Sequence, residues 1–255
     1  FYEILLDKSL TYSSALFSDN TENLYEAQIN KYNRIRDILM TTSSNKLLEI
    51  GTGWGGFLTN SKNEFDSLDS ITISKEQYSY SSLTHKNNSN IKIIYDDYRN
   101  ITKKYNSIVS IEMFEAVGQE YWNTYFQKIN NLLVKNGKAV VQTITIDDKL
   151  FDAYKNSTDA IRTFIFPGGM LPSPSIFIKY AKNNGFKVID EFSFGDSYSK
   201  TLDIWNDTFK KNIKSIEKLN FDEKFIRIWE YYLTSCSSSF INERTNVFQF
   251  TLQKN

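Results

Sequence analysis

The chain has 255 residues in which Lys+Arg and Asp+Glu both total 30, so the formal net charge is zero and no long-range field favours nucleic acid or a strongly anionic surface. A lone cysteine, Cys236, excludes an intramolecular disulfide and a cysteine-based metal cluster, and a lone histidine, His85, removes the usual zinc and Ser-His-Asp chemistries. No apolar run approaches the roughly 20 residues of a membrane span, and the opening FYEILLDKSL is not a signal peptide.

The expectation is therefore a soluble or peripheral protein of a reducing compartment, with no bound metal and no nucleic-acid partner. Because the chain opens at Phe1 rather than Met, an upstream segment that docks on a membrane is left open. The 19 Phe, 16 Tyr and 4 Trp are enough to supply both a core and an apolar substrate pocket.

In chain order, ENLYEAQINKYNRIRDILM at 22–40 places Leu24, Ala27, Ile35, Ile38 and Leu39 near helical spacing, and TTSSN closes the segment. KLLEI at 46–50 is a short apolar strand running into a glycine turn, with a helix to follow. SITIS at 70–74, IKIIY at 91–95, NSIVSIEM at 106–113 and KAVVQTITI at 138–146 continue the strand series. Strands alternating with helices in this way predict a mainly parallel, doubly wound sheet.

QEYWNTYFQKINNLLV at 119–134 reads as a helix capped by Asn136-Gly137. All three prolines and Gly168-Gly169 fall in 147–180, which departs from the repeat and is expected to be an insertion over the carboxyl edge of the sheet. KVIDEFSF and VFQFTLQK read as strands, with TLDIWNDTFKKNI and FDEKFIRIWEYYLTSCSSSF as helices between them. HKNNSNIK at 85–92 reads as a solvated loop, with His85 on the surface, and Cys236 reads as a small buried apolar group rather than a reactive thiol.

Glu49-Ile50-Gly51-Thr52-Gly53-Trp54-Gly55-Gly56 follows the first strand, and glycines there let the backbone turn tightly and approach a ligand. Such a turn can serve a dinucleotide or another nucleoside cofactor. The next strand ends Ile71-Thr72-Ile73-Ser74 without the carboxylate that a dinucleotide's ribose needs. Glu-x-Gly-x-Gly, with its carboxylate ahead of the first glycine, instead resembles motif I of class I methyltransferases. Asp97, after the third strand, either holds an adenine amino group with Tyr98 beside it or is a turn aspartate.

Nine separated blocks make the likeness more specific: YSSALF (12–17), LLEIGTGWGGF (47–57), TISKEQ (72–77), DYR (97–99), SIEMFEAVGQEYW (110–122), QTITI (142–146), IFPGGMLPS (165–173), SYSKTLDIW (197–205) and WEYYLTSC (229–236). In this order and spacing they resemble the cyclopropane-fatty-acyl-phospholipid synthase family, over nearly the whole chain. The resemblance implies a Rossmann-like α/β fold with a seven-stranded sheet. It also implies a helical cap segment at 1–45 and a methyltransferase domain at 46–255 with a lid at about 147–182.

For S-adenosylmethionine the resemblance implies Tyr12, Ser13, Glu49, Gly51, Gly53, Thr72, Gln77, Asp97 and Tyr98, with Gln77 standing in for the missing strand-end acid. The implied reaction puts the sulfonium methyl on a cis double bond of a phospholipid acyl chain and closes a cyclopropane ring after a bound bicarbonate removes a proton. Glu115 and Tyr198 would hold that bicarbonate through their side chains, and Ser14 and Ile144 through backbone groups, with a proton-sharing Glu115 next to the anion.

Many relatives carry Cys at Ser14 and at Thr52, and His at Gln142; glutamine still donates one hydrogen bond but cannot titrate. Phe114, Trp122, Phe164, Phe166, Met170 and Leu171 are candidates for an acyl channel, though each is individually more often core. Glu115 is expected to do the chemistry, with Glu112 facing the cofactor side or a structural partner. Other readings are a methyl- or methylene-branching fatty acyl methyltransferase, a small-molecule N-methyltransferase and a non-catalytic module. A cytoplasmic enzyme in peripheral contact with the membrane is expected, and a homodimer is left open.

Overall fold

The computed structural model describes residues 1–20, 23–40 and 45–255. Strands β1 (Lys46–Ile50), β2 (Ser67–Thr72), β3 (Ile91–Tyr95), β4 (Tyr105–Ile111), β5 (Leu133–Ile146), β6 (Phe186–Ser193) and β7 (Thr245–Lys254) form, among the described residues, one seven-stranded sheet in the order β3-β2-β1-β4-β5-β7-β6. Neighbours are parallel except around β7, which runs antiparallel to both β5 and β6. This is the doubly wound, mainly parallel sheet that the strand series implies.

Successive strand residues point to opposite faces, so the buried apolar runs feed two layers at once. Leu48, Ile50 and Ile108 belong to one core, while Leu47, Val109 and Val140 belong to the other. Helix α1 (Tyr2–Leu5) lies at the N-terminus. Helices α2 (Leu24–Leu39) and α3 (Gly56–Ser61) cover the second face. Helix α4 (Lys75–Thr84) follows β2, and α5 (Trp122–Leu132) packs on the first face.

The stretch with the prolines forms α6 (Phe151–Lys155), α7 (Ala160–Phe164) and α8 (Pro174–Asn183). Of these, α8 joins the layer beside α5, with Phe177 stacked on Phe250 at 4.3 Å. A third core lies among α9 (Gly195–Lys211), α10 (Ile213–Glu217), α11 (Glu223–Ile241) and the N-terminal segment. No described helix is long and apolar enough to cross a membrane.

Several boundaries differ from the sequence pattern, each for a local reason. β2 starts at Ser67 because Asp69, a poor strand residue, is paired there by Tyr105 Oη and Lys103 Nζ, both at 2.7 Å. It ends at Thr72 because the Ser74 hydroxyl accepts the Gln77 N–H and caps α4. Similarly, β4 stops at Ile111, since Glu112 has a left-handed φ of 48°.

Asn136-Gly137 does not cap a helix. α5 begins at Trp122 after a 3₁₀ turn and ends at Leu132, where Leu133 is already extended and pairs with Tyr105. Asn136, at φ 61°, lies where β5 bulges against β4 between the Tyr105–Leu133 and Ser107–Lys138 pairs. α9 starts at Gly195, earlier than expected. Glu22 and the closing residues 41–44 of the first predicted helix lie outside the described residues.

The sheet order reverses at β1, whose neighbours are β2 on one side and β4 on the other. In doubly wound sheets, ligands sit in the crevice at the carboxyl ends of such a pair. The glycine turn leaves β1 at that point, and Glu112 leaves β4 beside it.

Candidate active site

At the end of β1 the backbone doubles back, and the Gly51 and Thr52 N–H groups both donate to the Ile71 carbonyl, at 3.0 and 3.2 Å. Gly51 and Gly55 take φ values of 95° and 83°, a region that side chains resist. Beside this turn lies a cavity of about 840 Å³. All nine residues expected to face the cofactor line it: Tyr12, Ser13, Glu49, Gly51, Gly53, Thr72, Gln77, Asp97 and Tyr98.

The Thr72 hydroxyl donates to the Gln77 side-chain carbonyl at 2.8 Å and so fixes that amide. Asp97 is a turn aspartate at the edge of the cavity. It lines the cavity, caps the 3₁₀ turn Tyr98–Asn100 and pairs with Arg99 at 2.7 Å, which holds its carboxyl below the usual range. The Tyr12 hydroxyl donates to Tyr232 at 2.9 Å, and its ring lies 5.3 Å from Trp205.

Glu49 is 3 % exposed and accepts the Ser70 hydroxyl at 2.6 Å; burial pushes its carboxyl up to about 8. Between about pH 5 and 7 the folded chain therefore keeps a proton that the unfolded chain has released, so this group makes stability fall as pH rises. Glu49→Gln keeps the acceptor for Ser70 and removes the titration. The slope of unfolding free energy against pH, measured by denaturant titration over that window, should be more positive in the variant than in the parent; equal slopes would refute this account.

His85, expected on the surface, is buried. It is 5 % exposed, and a Cβ on Gly55 would stand 3.3 Å from its Nε2. Burial lowers its pKa, so it packs beneath the glycine turn as a neutral ring. Cys236 is half-buried in the third core, and burial pushes its thiol up to about 12. Phe114, Trp122 and Met170 are core, whereas Phe164 and Phe166 are exposed; none of the six acyl-channel candidates lines the cavity.

The five residues expected around the reaction, Ser14, Glu115, Gln142, Ile144 and Tyr198, do not line the cavity either. They gather around two carboxylates. Glu112, which does line it, accepts the Ser14 N–H at 2.9 Å and Gln142 Nε2 at 2.8 Å on Oε1, and the Tyr198 hydroxyl at 2.7 Å on Oε2. Glu115 accepts the Ile144 N–H at 2.6 Å on Oε1, while its buried Oε2 has no partner. Burial and the nearby Glu112 charge hold the Glu115 carboxyl well above the usual range, in line with a protonated acid.

The orientation of Gln142 follows from a polar chain through the sheet. Arg34, on α2, pairs with Asp190 and donates to Gln249 Oε1 at 2.8 Å. Gln249 Nε2 then donates to Gln142 Oε1 at 3.0 Å, across the directly paired strands β7 and β5. A guanidinium can only donate, so each amide in the chain is turned one way, and the last N–H points at Glu112. Glu112 thus receives three donors, as an anion does.

Lys31 and Gln28 complete the site and were missed by sequence reasoning. Both are fully buried; Lys31 Nζ donates to Ser13 Oγ at 2.7 Å and Gln28 Nε2 to the Ser13 carbonyl at 3.0 Å, so α2 holds the segment that carries the Ser14 N–H. The signal was present: positions 24, 27, 28, 31 and 35 form one helical face, with two polar residues inside its apolar stripe.

Residues 1–250 match the family described as mycolic acid cyclopropane synthetase. The chain belongs to that family. Among its relatives is the tuberculostearic acid methyltransferase of Mycobacterium tuberculosis, 32 % identical over 98 % of this chain and 61 % of the relative. The cyclopropane-fatty-acyl-phospholipid synthase of Escherichia coli is 32 % identical over 92 % of this chain and 60 % of that enzyme. The chain therefore spans about three fifths of these two proteins.

A solved mycolic acid cyclopropane synthase complexed with SAH and CTAB superposes with a TM-score of 0.91 at 29 % identity, covering 99 % of this chain and 93 % of that one. The chain is thus an S-adenosylmethionine-dependent methyltransferase domain of the cyclopropane synthase family, with the class I fold.

Proposed function

We propose that the domain methylates the cis double bond of an unsaturated acyl chain in a phospholipid, the step that leads to a cyclopropane ring. The observation that carries this reading is a single cavity lined both by the glycine turn and by the buried carboxylate Glu112. S-adenosylmethionine fits this lining: the glycine turn admits close backbone approach, and Gln77, Asp97 and Tyr98 offer polar partners for a nucleoside. Bound there, it supplies an electrophilic methyl group.

Ser13 and Tyr12 close the cavity from the N-terminal side, tied down by Lys31, Gln28 and Tyr232. Tyr198 and Gln142 hold Glu112 where it faces the cavity. The bicarbonate expected from the resemblance does not fit this arrangement. The Ser14 N–H and the Tyr198 hydroxyl that would hold it already serve Glu112, and the Ile144 N–H serves Glu115.

The bilayer is met, in this reading, at the groove between α7 and α11. Phe164 and Tyr231 are 60 % and 55 % exposed there beside Lys224 and Arg227, offering apolar side chains and cations to a lipid surface.

The test is mass spectrometry of lipids after incubating the domain with S-adenosylmethionine and monounsaturated phospholipid vesicles. A mass gain of one CH₂ with a cyclopropane ring is the expected product. The same gain as an exocyclic methylene would make the domain a branching enzyme, and cofactor binding with no gain on any unsaturated lipid would overturn the proposal.

A further inference from the structure

We propose that Glu112 is the base of this reaction, so that a side chain of the protein does the work for which a free bicarbonate was expected. The inference rests on the methyl-transfer reading above and adds to it the identity of the proton acceptor. Its carboxylate lines the cavity, and three donors from distant parts of the chain converge on it: the Ser14 N–H, the Tyr198 hydroxyl and Gln142 Nε2. A carboxylate offers about four acceptor positions, so three donors leave one for a proton.

The backbone is bent to put it there. Glu112 has φ 48°, a left-handed conformation that costs a β-carbon-bearing residue of order 1–3 kcal/mol and that tends to persist at functional sites. Its own N–H is anchored on the Gln142 carbonyl at 2.8 Å. A residue serving only as packing would not need that conformation, since glycine would satisfy the same turn.

Two further groups bear on its charge. Burial raises the Glu112 carboxyl from its ordinary value, and the Tyr198 hydrogen bond, the charge of buried Lys31 and the Gln142 and Ser14 hydrogen bonds oppose that rise; burial lowers Lys31 itself to about 7. Burial raises both carboxyls, and the three donors on Glu112, against the single Ile144 N–H on Glu115, make Glu112 the member of the pair that better holds a negative charge.

The step balances without another reagent. The alkene π pair forms the new C–C bond to the donor methyl while the C–S pair stays on sulfur, leaving the neighbouring chain carbon cationic. A C–H bond of the added carbon then gives its electron pair to close the ring, and its proton passes to Glu112. A carboxylate this close to a cation could instead be alkylated. The hydrogen bonds from Tyr198, Ser14 and Gln142 occupy its lone pairs and lower that nucleophilicity while leaving it able to take a proton.

The experiment compares methylated-lipid formation in buffer stripped of carbon dioxide and in buffer with added bicarbonate, for the unmodified protein, Glu112→Gln and Glu112→Gly. The unmodified protein is expected to turn over equally in both, and Glu112→Gln to lose roughly 100-fold or more in both while still binding S-adenosylhomocysteine. Glu112→Gly, which relieves the left-handed backbone and so should fold, is expected to be inactive in stripped buffer and to recover activity with bicarbonate.

Turnover of the unmodified protein that depends on added bicarbonate, or a Glu112→Gln variant as active as the parent, would overturn the inference while leaving the methyl-transfer reading intact. Absence of product from the unmodified protein in both buffers would instead overturn that reading, and the inference with it.

Discussion

Gly56→Val is expected to weaken S-adenosylhomocysteine binding by about 100-fold, measured by titration calorimetry, with little change in helical content by circular dichroism. A Cβ at Gly56 would lie 2.7 Å from both the Thr11 and Tyr32 hydroxyls and 3.0 Å from the Ser9 carbonyl. Those hydroxyls are themselves bonded at 2.7 Å, joining the N-terminal segment to α2. Valine forces them apart and pushes the backbone at Ser9 off the first turn of α3. Breaking the buried pair costs about 1–3 kcal/mol for each hydroxyl left without a partner.

The loss should appear as affinity because the displaced segment carries Tyr12 and Ser13 into the cavity. Affinity within about threefold of the parent would show that the N-terminal segment does not help to hold the cofactor.

The largest stability effect is expected at Phe114. It is fully buried, with ring centroids of Trp122, Tyr125, Phe126 and Phe177 between 4.8 and 5.6 Å away. Phe114→Ala should cost about 3–5 kcal/mol through lost transfer free energy and the cavity left among four rings. For a chain of this size that corresponds to a fall of roughly 10 °C in Tm. The same change should lower turnover at temperatures where the variant stays folded, because Phe114 lies in the short turn between Glu112 and Glu115. A shift of less than about 2 °C would mean that the aromatic cluster closes over the gap.

Much of the fold was legible because its signals are local. Short apolar runs such as KLLEI and IKIIY form strands, and Gly51, Gly53 and Gly55 after β1 take the positive φ that glycine favours. The cofactor half of the cavity followed from those glycines together with the family likeness. Of the reacting half, the likeness supplied Ser14, Glu115, Gln142, Ile144 and Tyr198, but not Glu112 as the point where three of them meet. Glu112 meets Ser14, Tyr198 and Gln142 across sequence separations of 98, 86 and 30 residues, and no pattern near Glu112 announces them.

Local composition misled in two places. His85 sits in a polar run but is covered by a glycine turn 30 positions earlier, and Asn136-Gly137 has the composition of a helix cap but serves a strand bulge. Gln28 and Lys31 could have been found from their helical phase alone. Polar residues in an apolar stripe are either errors of folding or parts of a site, and here they anchor Ser13.

The chain of donors from Arg34 through Gln249 and Gln142 to Glu112 behaves as a one-way switchyard: its polarity is set at the far end and cannot be reversed locally. An acceptor placed at position 34 would let both amides turn over, so that a carbonyl rather than an N–H faced the carboxylate. The acidity of the reacting centre can therefore be retuned from a partly exposed residue on the far side of β7 and β5, without altering a single group that touches the cavity.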